Sequence, residues 1–473
     1  MTNMLILQFE YTEKDIYNNL VPWLNDTRPD IYNDIKQKTD DNSKTIYYQV
    51  GLAIEHNNSV QIVTPFNIYT LYSSCKIINY GDKEIELSLN NYCYYTRLAS
   101  YTIMMLDKNN LIEDDSVVIK IKDYHFKINN LNNACIKTLN KDIIVKNMEV
   151  VFKNVINENI YPFVWLEADI SKKYIDNINE TLISGSYVYK SNNILIGIVY
   201  NVNAKVTIIP MITVMKFIIN NKLSNIFFDY HPNQEYINNN LFMEFNYLNC
   251  AKKKDIEFKI SDDKLEGNII ISQTHYIDDL EIGDTILSID GKQINEDGEI
   301  FSSELKIYIP LHTYIWYSFN SDEYNFVIYR NKKRIEIKVK SEKLIDKINL
   351  NTKKTTELLI KNNIIFCKPN LLMFEWLSHN DIYIKNYLYI QYKLNPYYIF
   401  KQKYLFVGLN DAYNHQKHIN KILSEFNKSN KYIDIFTILN VNGNKISNIE
   451  NCKSINRISL CDIDETKIVL KWN

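Results

Sequence analysis

The chain has 473 residues and a formal net charge of −2; 46% of the residues are hydrophobic and 13% aromatic. This composition excludes a disordered chain, and the near-zero net charge gives no sign of a nucleic-acid footprint or a polybasic membrane patch. The length is sufficient for several domains, each with its own core. Glycine is scarce, with 10 residues, and tyrosine is abundant, with 36, a bias that indicates an AT-rich genome such as that of a parasite or a large DNA virus.

The seven cysteines are scattered, and no Cys-x-x-Cys or Cys/His spacing occurs. We therefore predict thiols in a reducing compartment rather than a disulfide framework or a zinc site. No apolar run is long enough to span a membrane, and the first residues lack the basic and apolar regions of a signal peptide. We expect a protein without metal or other cofactor that is not secreted and does not bind membranes or nucleic acid. It would be cytoplasmic or particle-associated, in the virion if the source is viral.

Short β-branched and aromatic segments recur between Asn, Asp and Gly turns along most of the chain. This spacing predicts antiparallel β-barrels rather than β-α-β units. Helical patterns are few and are predicted over Thr213 to Asn220, over Ser341 to Lys361 as a charged connector, and over Asn414 to Phe426. The predicted strands include Tyr47 to Ile54, Val60 to Thr64, Tyr101 to Leu106, Val117 to Ile121 and Ile194 to Tyr200.

Residues 178–214 carry the most informative pattern of the chain. A Ser-Gly-Ser turn at 184–186 is followed by two strands, and an Ile-Ile-Pro strand end at 208–210 leads into a helix start. This order resembles the nucleophile region of the trypsin-like serine proteases of the HtrA/Deg family. The resemblance implies two packed β-barrels with a Ser-His-Asp triad in the cleft between them. Ser184 stands at the nucleophile position.

The other two triad positions carry residues of different chemistry. The segment Ile62 to Tyr69 aligns with the family's histidine motif and places Asn67 where the base belongs, and Tyr101 stands at the Asp position. An amide has no basic nitrogen near pH 7, so Asn67 cannot take a proton from a serine. Loss of triad members typically removes about 10⁴–10⁶ of the rate. We therefore predict a pseudo-protease whose Ser184 segment packs against Asn67 and Tyr101 across an inter-barrel cleft.

The residues flanking the serine turn also depart from the family pattern. Leu182 replaces the oxyanion-hole glycine two residues before the nucleophile, and Tyr187 replaces the proline after the turn. A leucine is poorly suited to the backbone geometry that a glycine allows there. The alternative is an active serine endopeptidase that uses Ser184 with a rearranged triad. His56 is the nearest histidine to the aligned strand and would be its candidate base.

Residues 266–294 resemble the signature of a PDZ domain. Leu280 is followed by a Gly283-Asp284 turn into a strand, and Asp290-Gly291 predicts a hairpin turn into the next strand. The resemblance implies capture of a partner's C-terminal carboxylate by strand addition. An equally open interpretation is a PDZ fold kept for packing and oligomerisation. The candidate carboxylate loop is Ile226, Phe227, Phe228 and Asp229.

The segment Ile438 to Ile446 repeats the PDZ pattern in weaker form. We predict a mostly-β chain with a trypsin-like double barrel over 1–222, a PDZ domain over 223–345, a linker over 346–366 and a second, divergent PDZ-like domain over 367–473. The resemblance to the Deg proteases predicts a non-catalytic interaction, scaffold or structural protein with protein or peptide partners. It also predicts a homo-oligomer, because Deg proteases generally assemble through their barrels.

Overall fold

Strands dominate the described part of the chain, which confirms the predicted mostly-β fold class. In these residues no helix is long and apolar enough to cross a membrane. The structure, a computed structural model, describes residues 4–22, 24, 33, 44–57, 59–80, 84–93, 96–103, 118–120, 134–138, 142–153, 163–170, 184–190, 194–202, 205–219, 224–225, 228–232, 269–274, 279–281, 283–295, 297–303, 306–317, 323–331, 333–340, 342–343, 358–361, 364–367, 373, 376–377, 383–384, 405–409, 432–433, 436–444, 457–461 and 467–471.

The first sheet contains β1 (Leu5–Tyr11), β2 (Thr45–His56), β3 (Ser59–Pro65), β4 (Ser74–Ile77), β5 (Ile85–Cys93), β6 (Leu98–Ile103) and β7 (Val118–Lys120). Its order is β1-β4-β5-β6-β3-β2-β7, and an additional pairing of β1 with β2 closes the first six strands of this order into a barrel. Alternate residues of β1 are buried, as expected for a strand with one face toward a core. Strand β6 begins at Leu98, three residues before the predicted start at Tyr101, and residues 104–106 of the predicted strand lie outside the described residues.

The second sheet contains β8 (Cys135–Lys137), β9 (Asp142–Ile144), β10 (Lys146–Lys153), β11 (Phe163–Asp169), β12 (Tyr187–Tyr189), β13 (Leu195–Val202) and β14 (Val206–Pro210). Its order is β10-β11-β14-β13-β12-β8-β9. Aliphatic side chains from six of these strands form its core, among them Ile136, Leu166, Val188, Val199 and Ile208. Strand β14 runs directly into helix α3 (Met211–Ile219), close to the predicted helix start.

The next region contains β15 (Ser224–Asn225), β16 (Phe228–Pro232), β17 (Ile269–Thr274), β18 (Thr285–Ile289), β19 (Lys292–Gln293), β20 (Glu299–Ser302), β21 (Ile307–Pro310), α4 (Leu311–Tyr317), β22 (Glu323–Arg330), β23 (Lys333–Lys340) and β24 (Glu342–Lys343). The main sheet has the order β16-β17-β18-β22-β23, with β19 paired to β18. Strands β22 and β23 form an antiparallel hairpin. Strand β15 pairs with β24, which joins the two ends of this region.

The C-terminal region contains β25 (Leu358–Lys361), β26 (Ile364–Cys367), β27 (Tyr383–Ile384), β28 (Leu405–Leu409), β29 (Tyr432–Ile433), β30 (Phe436–Val441), β31 (Arg457–Cys461) and β32 (Lys467–Lys471). Its main sheet has the order β25-β26-β28-β30-β31-β32. The predicted helical connector over Ser341 to Lys361 is wrong at both ends, where β24 and β25 are strands. The apolar run at 358–360 pairs with β26, so a partner strand sets its conformation, and residues 344–357 of the predicted connector lie outside the described residues. The helix predicted over Asn414 to Phe426 lies outside the described residues.

Contacts between Cα atoms divide the chain into two compact units. The first consists of Met1–Ile6, Gln49–Pro65 and Asn90–Leu350, and it includes the second sheet and the region from β15 to β24. The second consists of Leu7–Tyr48, Phe66–Leu89 and Asn351–Asn473. It includes the helices α1 (Glu13–Leu20) and α2 (Ile68–Tyr72) and the C-terminal sheet.

Candidate functional site

The Ser184-Gly185 turn is held by backbone hydrogen bonds to two neighbouring strands. The Val50 amide of β2 donates to the Ser184 carbonyl at 2.9 Å, and the Gly185 amide donates to the Val199 carbonyl of β13 at 2.7 Å. The Val199 amide in turn donates to the Ser186 carbonyl at 2.9 Å. Because these bonds use main-chain groups on both sides of the turn, its conformation is set by the sheet and not by the chemistry of the serine side chain.

Gly185 is required at this turn for two separate reasons. Its φ is +84°, a left-handed conformation that side chains other than glycine rarely adopt. A Cβ atom added there would also lie 2.0 Å from the carbonyl oxygen of Val50. The backbone conformation and the close approach of Val50 therefore both require glycine at position 185.

The Ser184 hydroxyl faces neutral groups that cannot remove its proton. It donates to the Tyr200 carbonyl at 3.4 Å, and the Gln49 side-chain amide Nε2 donates to its oxygen at 3.5 Å. Gln49 is held by the buried Thr64 hydroxyl, which donates to Gln49 Oε1 at 3.0 Å. An amide nitrogen has no basic lone pair, so this arrangement orients the hydroxyl without activating it.

Tyr187 anchors the strand that follows the serine turn. Its side chain is completely buried, and its hydroxyl donates to the Gly51 carbonyl of β2 at 2.6 Å. Burial raises the pKa of the Tyr187 phenol above its ordinary value, and the nearby Tyr189 phenol raises it further by a smaller amount. The side chain therefore stays a neutral hydrogen-bond donor. Tyr187, which the sequence comparison aligned with the family's proline, thus connects β12 to β2 by a hydrogen bond.

Asn67 is the N-cap residue of helix α2. Its Oδ1 accepts from the Thr70 amide at 2.9 Å and from the Thr70 hydroxyl at 2.8 Å. The backbone amide of Asn67 donates back to the Thr70 hydroxyl at 3.1 Å, which completes a capping box. The acceptor oxygen of the side chain is therefore used locally, in the role that asparagine commonly has at a helix start.

An aromatic cluster supports the same cap. The Tyr47 hydroxyl donates to the Thr70 hydroxyl at 3.3 Å, and its ring stacks on Phe9 with centroids 4.9 Å apart. Tyr11 packs against Tyr47 and against Tyr69 of α2. Burial raises the pKa of Tyr47 and, more modestly, that of Tyr11 to about 12, so both phenols are neutral donors at physiological pH. The surroundings of Asn67 are those of a packed helix start.

Of the remaining predicted site residues, the structure describes Tyr101 and His56 but not Leu182. Tyr101 lies in β6, pairs with Ile62 of β3 and is 1% exposed, which fits a core tyrosine. His56 ends β2, where its Nε2 lies 3.1 Å from the side-chain amide of Asn57. Leu182 lies outside the described residues. The predicted approach of Ser184 to Asn67 and Tyr101 stays a prediction.

A charged network in the PDZ-like region was not foreseen from the sequence. Asp284 is 1% exposed, and Arg330 of β22 binds its carboxylate with two hydrogen bonds of 2.7 and 2.6 Å. Arg330 also donates to the Asp279 carbonyl and to Glu281. The Asp284 carboxylate further accepts from the Glu281 amide at 2.7 Å. A bidentate pair of this kind fixes the turn that leads into β18.

The predicted carboxylate loop is only partly described. Phe228 and Asp229 lie in strand β16, whose residues pair with β17. Ile226 and Phe227 lie outside the described residues. In the described part of the chain no strand pairs with the other side of β16, so its outer backbone groups form the edge of the sheet. A carboxylate loop before β16 stays a prediction.

The two PDZ-like segments share a turn and a bulge. Asp290 and Gly291 have φ of 49° and 72°, and Asn442 and Gly443 have φ of 52° and 85°. Positive φ at both central residues is the geometry of a tight hairpin turn, as predicted for Asp290-Gly291. The register of β18 with β22 shifts between Ile286 and Ser288, and that of β30 with β31 shifts between Ile438 and Asn440, at the same distance before the turn.

The described residues thus define a mostly-β protein with a seven-stranded sheet of which six strands close into a barrel, a second seven-stranded sheet, and two further sheets that carry a shared turn. No protein-family model and no curated protein matches the chain. Among solved structures it is similar to the HtrA-type protease AlgW with a decapeptide, at 12% identity and a TM-score of 0.40, over 64% of this chain and 84% of that one. The same protease with a tripeptide gives 12% identity and 0.40, over 71% and 92%. A serine endoprotease from Yersinia pestis gives 12% identity and 0.36, over 63% and 89%.

Proposed function

We propose that this chain is a non-catalytic relative of the HtrA/Deg proteases that acts as an interaction or scaffold protein. The observation that carries the proposal is the role of Asn67. Its Oδ1 caps α2 through Thr70, and an amide has no nitrogen that can accept a proton from a serine near pH 7. Ser184 meets only the Gln49 amide and the Tyr200 carbonyl in its described hydrogen bonds.

The competing function is a serine endopeptidase with a rearranged triad. The retained left-handed Gly185 and the part-buried Ser184 hydroxyl favour it, because both are needed by a working nucleophile turn. Casein hydrolysis by the purified full chain separates the two. The scaffold proposal expects no cleavage above that of Ser184→Ala, whereas serine-dependent cleavage would establish the endopeptidase.

We propose that partner peptides bind by strand addition to β16. Among the described strands β16 is the edge of its sheet, and the outer amides and carbonyls of such a strand can pair with an extended chain. The test is a set of extended hexapeptides with free C-termini, compared with the same peptides carrying C-terminal amides. Slowed amide exchange at 228–231 with the free-acid peptides alone supports carboxylate capture. Equal slowing with both sets supports strand addition without it, and no slowing with either set rejects the site.

We further propose a homo-oligomer of non-secreted, cytoplasmic or particle-associated protein. This part of the proposal rests on the resemblance stated above for the barrel region. Light scattering of the purified chain during size-exclusion chromatography measures the molar mass directly. A monomer mass at micromolar concentration would reject the oligomer.

A further inference from the structure

The shared turn and bulge allow the two PDZ-like sheets to be matched strand by strand. Strand β30 corresponds to β18, because both carry the register shift and both end in the left-handed pair of turn residues. The strands that pair with them on one side, β31 and β22, each continue into an antiparallel hairpin partner. On the other side β28 corresponds to β17, and β26 therefore corresponds to β16.

The matched sheets differ at one edge. In the first sheet β16 is the terminal strand of the described residues. In the C-terminal sheet, strand β25 covers the corresponding strand β26. Four residue pairs join them, from Leu358 with Cys367 to Lys361 with Ile364, in antiparallel register. The edge that no described strand pairs with in the first sheet is thus occupied in the C-terminal sheet by a segment of the same chain.

The sequence of β25 suits an extended ligand. It reads Leu-Leu-Ile-Lys, an apolar strand with one terminal charge, and only residues 362–363 separate it from β26. A segment tethered so closely has an effective concentration in the millimolar range or above, so it outcompetes a free peptide that makes the same backbone pairs. Main-chain pairing of this kind supplies affinity, whereas the side chains supply selectivity.

We infer that residues 358–361 are an internal ligand that occupies the peptide-accepting edge of the C-terminal sheet and confines partner peptides to β16. This inference rests on the proposed function, namely on strand addition as the way in which this chain binds peptides. The partner that could replace β25 is an extended apolar peptide of the same character.

The test uses the full chain with Leu359→Pro, because proline removes a backbone donor and disfavours the strand. Leu359→Val keeps the donor and the strand propensity and is the matched control. The probe is a fluorescein-labelled synthetic peptide of residues 357–361. We expect Leu359→Pro to bind the probe at least ten-fold more tightly than the wild type, and Leu359→Val to bind it as the wild type does. The probe should slow amide exchange at 364–367 in the proline variant.

Equal probe binding by the proline variant and the wild type, with no slowing at 364–367, would overturn the inference. Amide exchange of the wild type gives a second measurement that does not depend on the variant folding. Every second amide of β26 faces β25 and should be protected at least ten-fold more than the outward amides of β16. Equally fast exchange at both places would also overturn it. Failure of peptides to bind β16 would instead reject the proposed function and leave these two readouts unchanged.

Discussion

Ser184, at the predicted nucleophile position, and Asn67, at the predicted base position, differ in the hydrogen bonds that fix their conformation. The Ser184 turn is fixed by main-chain hydrogen bonds to β2 and β13 and by a glycine that tolerates no side chain. Asn67 is fixed by its own side chain, which caps α2. The turn can therefore persist without catalysis, because the sheet needs it. The contacts at Asn67 are those that any good N-cap residue can make.

The largest effect is expected for Gly185→Ala. The added Cβ would meet the Val50 carbonyl at 2.0 Å in a left-handed conformation, so we expect a loss of about 3 kcal/mol or more in the free energy of unfolding. The matched control is Gly291→Ala, which has a φ of +72° but nothing within 4 Å of the added atom. It should cost about 1 kcal/mol. Urea unfolding measures both, and equal losses would mean that the close approach at Gly185 does not constrain the turn.

Tyr187→Phe should have the next largest effect. It removes a buried hydroxyl that donates at 2.6 Å and leaves the Gly51 carbonyl without that donor, at a cost of about 1–2 kcal/mol. Tyr308→Phe is the control, because Tyr308 is 53% exposed. Loss of a solvated hydroxyl leaves no buried acceptor without its donor. The control should stay within about 0.5 kcal/mol of the wild type. A similar loss in both variants would remove Tyr187 from the account of the turn.

Asn67→Ala should cost about 1 kcal/mol, because two donors at the start of α2 lose their acceptor. Asn67→Asp keeps an acceptor oxygen at the same position and should retain most of the stability. Thermal unfolding followed by circular dichroism measures both. Equal stability of the alanine variant and the wild type would show that the cap is dispensable and would leave Asn67 without a structural reason.

Ser184→Ala should have the smallest effect on stability, within about 0.5 kcal/mol. Its side-chain hydrogen bonds of 3.4 and 3.5 Å are long and connect neutral groups. Chemical unfolding of Ser184→Ala and Tyr187→Phe under the same conditions compares their losses in the free energy of unfolding. A loss as large as that of Tyr187→Phe would show that the Ser184 hydroxyl, and not the backbone, holds the turn.

The sequence predicted those features that depend on local patterns. Alternation and β-branched runs located the strands around Tyr47, Val60 and Ile194, and Asp290-Gly291 marked a real tight turn. Helix α1 was missed because it is short, although Thr12 caps it through the Asp15 amide. The predicted connector was wrong at its C-terminal end because the pairing of β25 depends on a partner strand and not on local propensity.

The surroundings of the site depended on contacts between distant residues. The Gln49 amide meets Ser184, and Arg330 meets Asp284, across separations that no local motif specifies. A single sequence shows which residue stands at a motif position but not which side chain the fold brings to it. The mismatch at Asn67 was visible in the sequence, whereas its use as a helix cap required the structure.

A rescue experiment sharpens the same comparison. Asn67→His with Tyr101→Asp returns a base and its orienting carboxylate to the predicted positions, yet we expect little or no casein cleavage. The reason is that the resemblance puts Leu182 at the position of the family's oxyanion-hole glycine, where a leucine is poorly suited to the required backbone geometry. Adding Leu182→Gly tests that loop directly. Cleavage by the double variant at rates typical of a Deg protease would show that the oxyanion hole is already formed.

The most direct test of the central claim is labelling of the wild-type chain with a fluorophosphonate probe, read by mass spectrometry of the peptide containing Ser184. A serine without a base should not react, so the account predicts no adduct in the wild type and none in Ser184→Ala. A trypsin-like protease labelled in the same tube confirms that the probe is active. An adduct at Ser184 that disappears in Ser184→Ala would contradict the account and identify an active serine nucleophile.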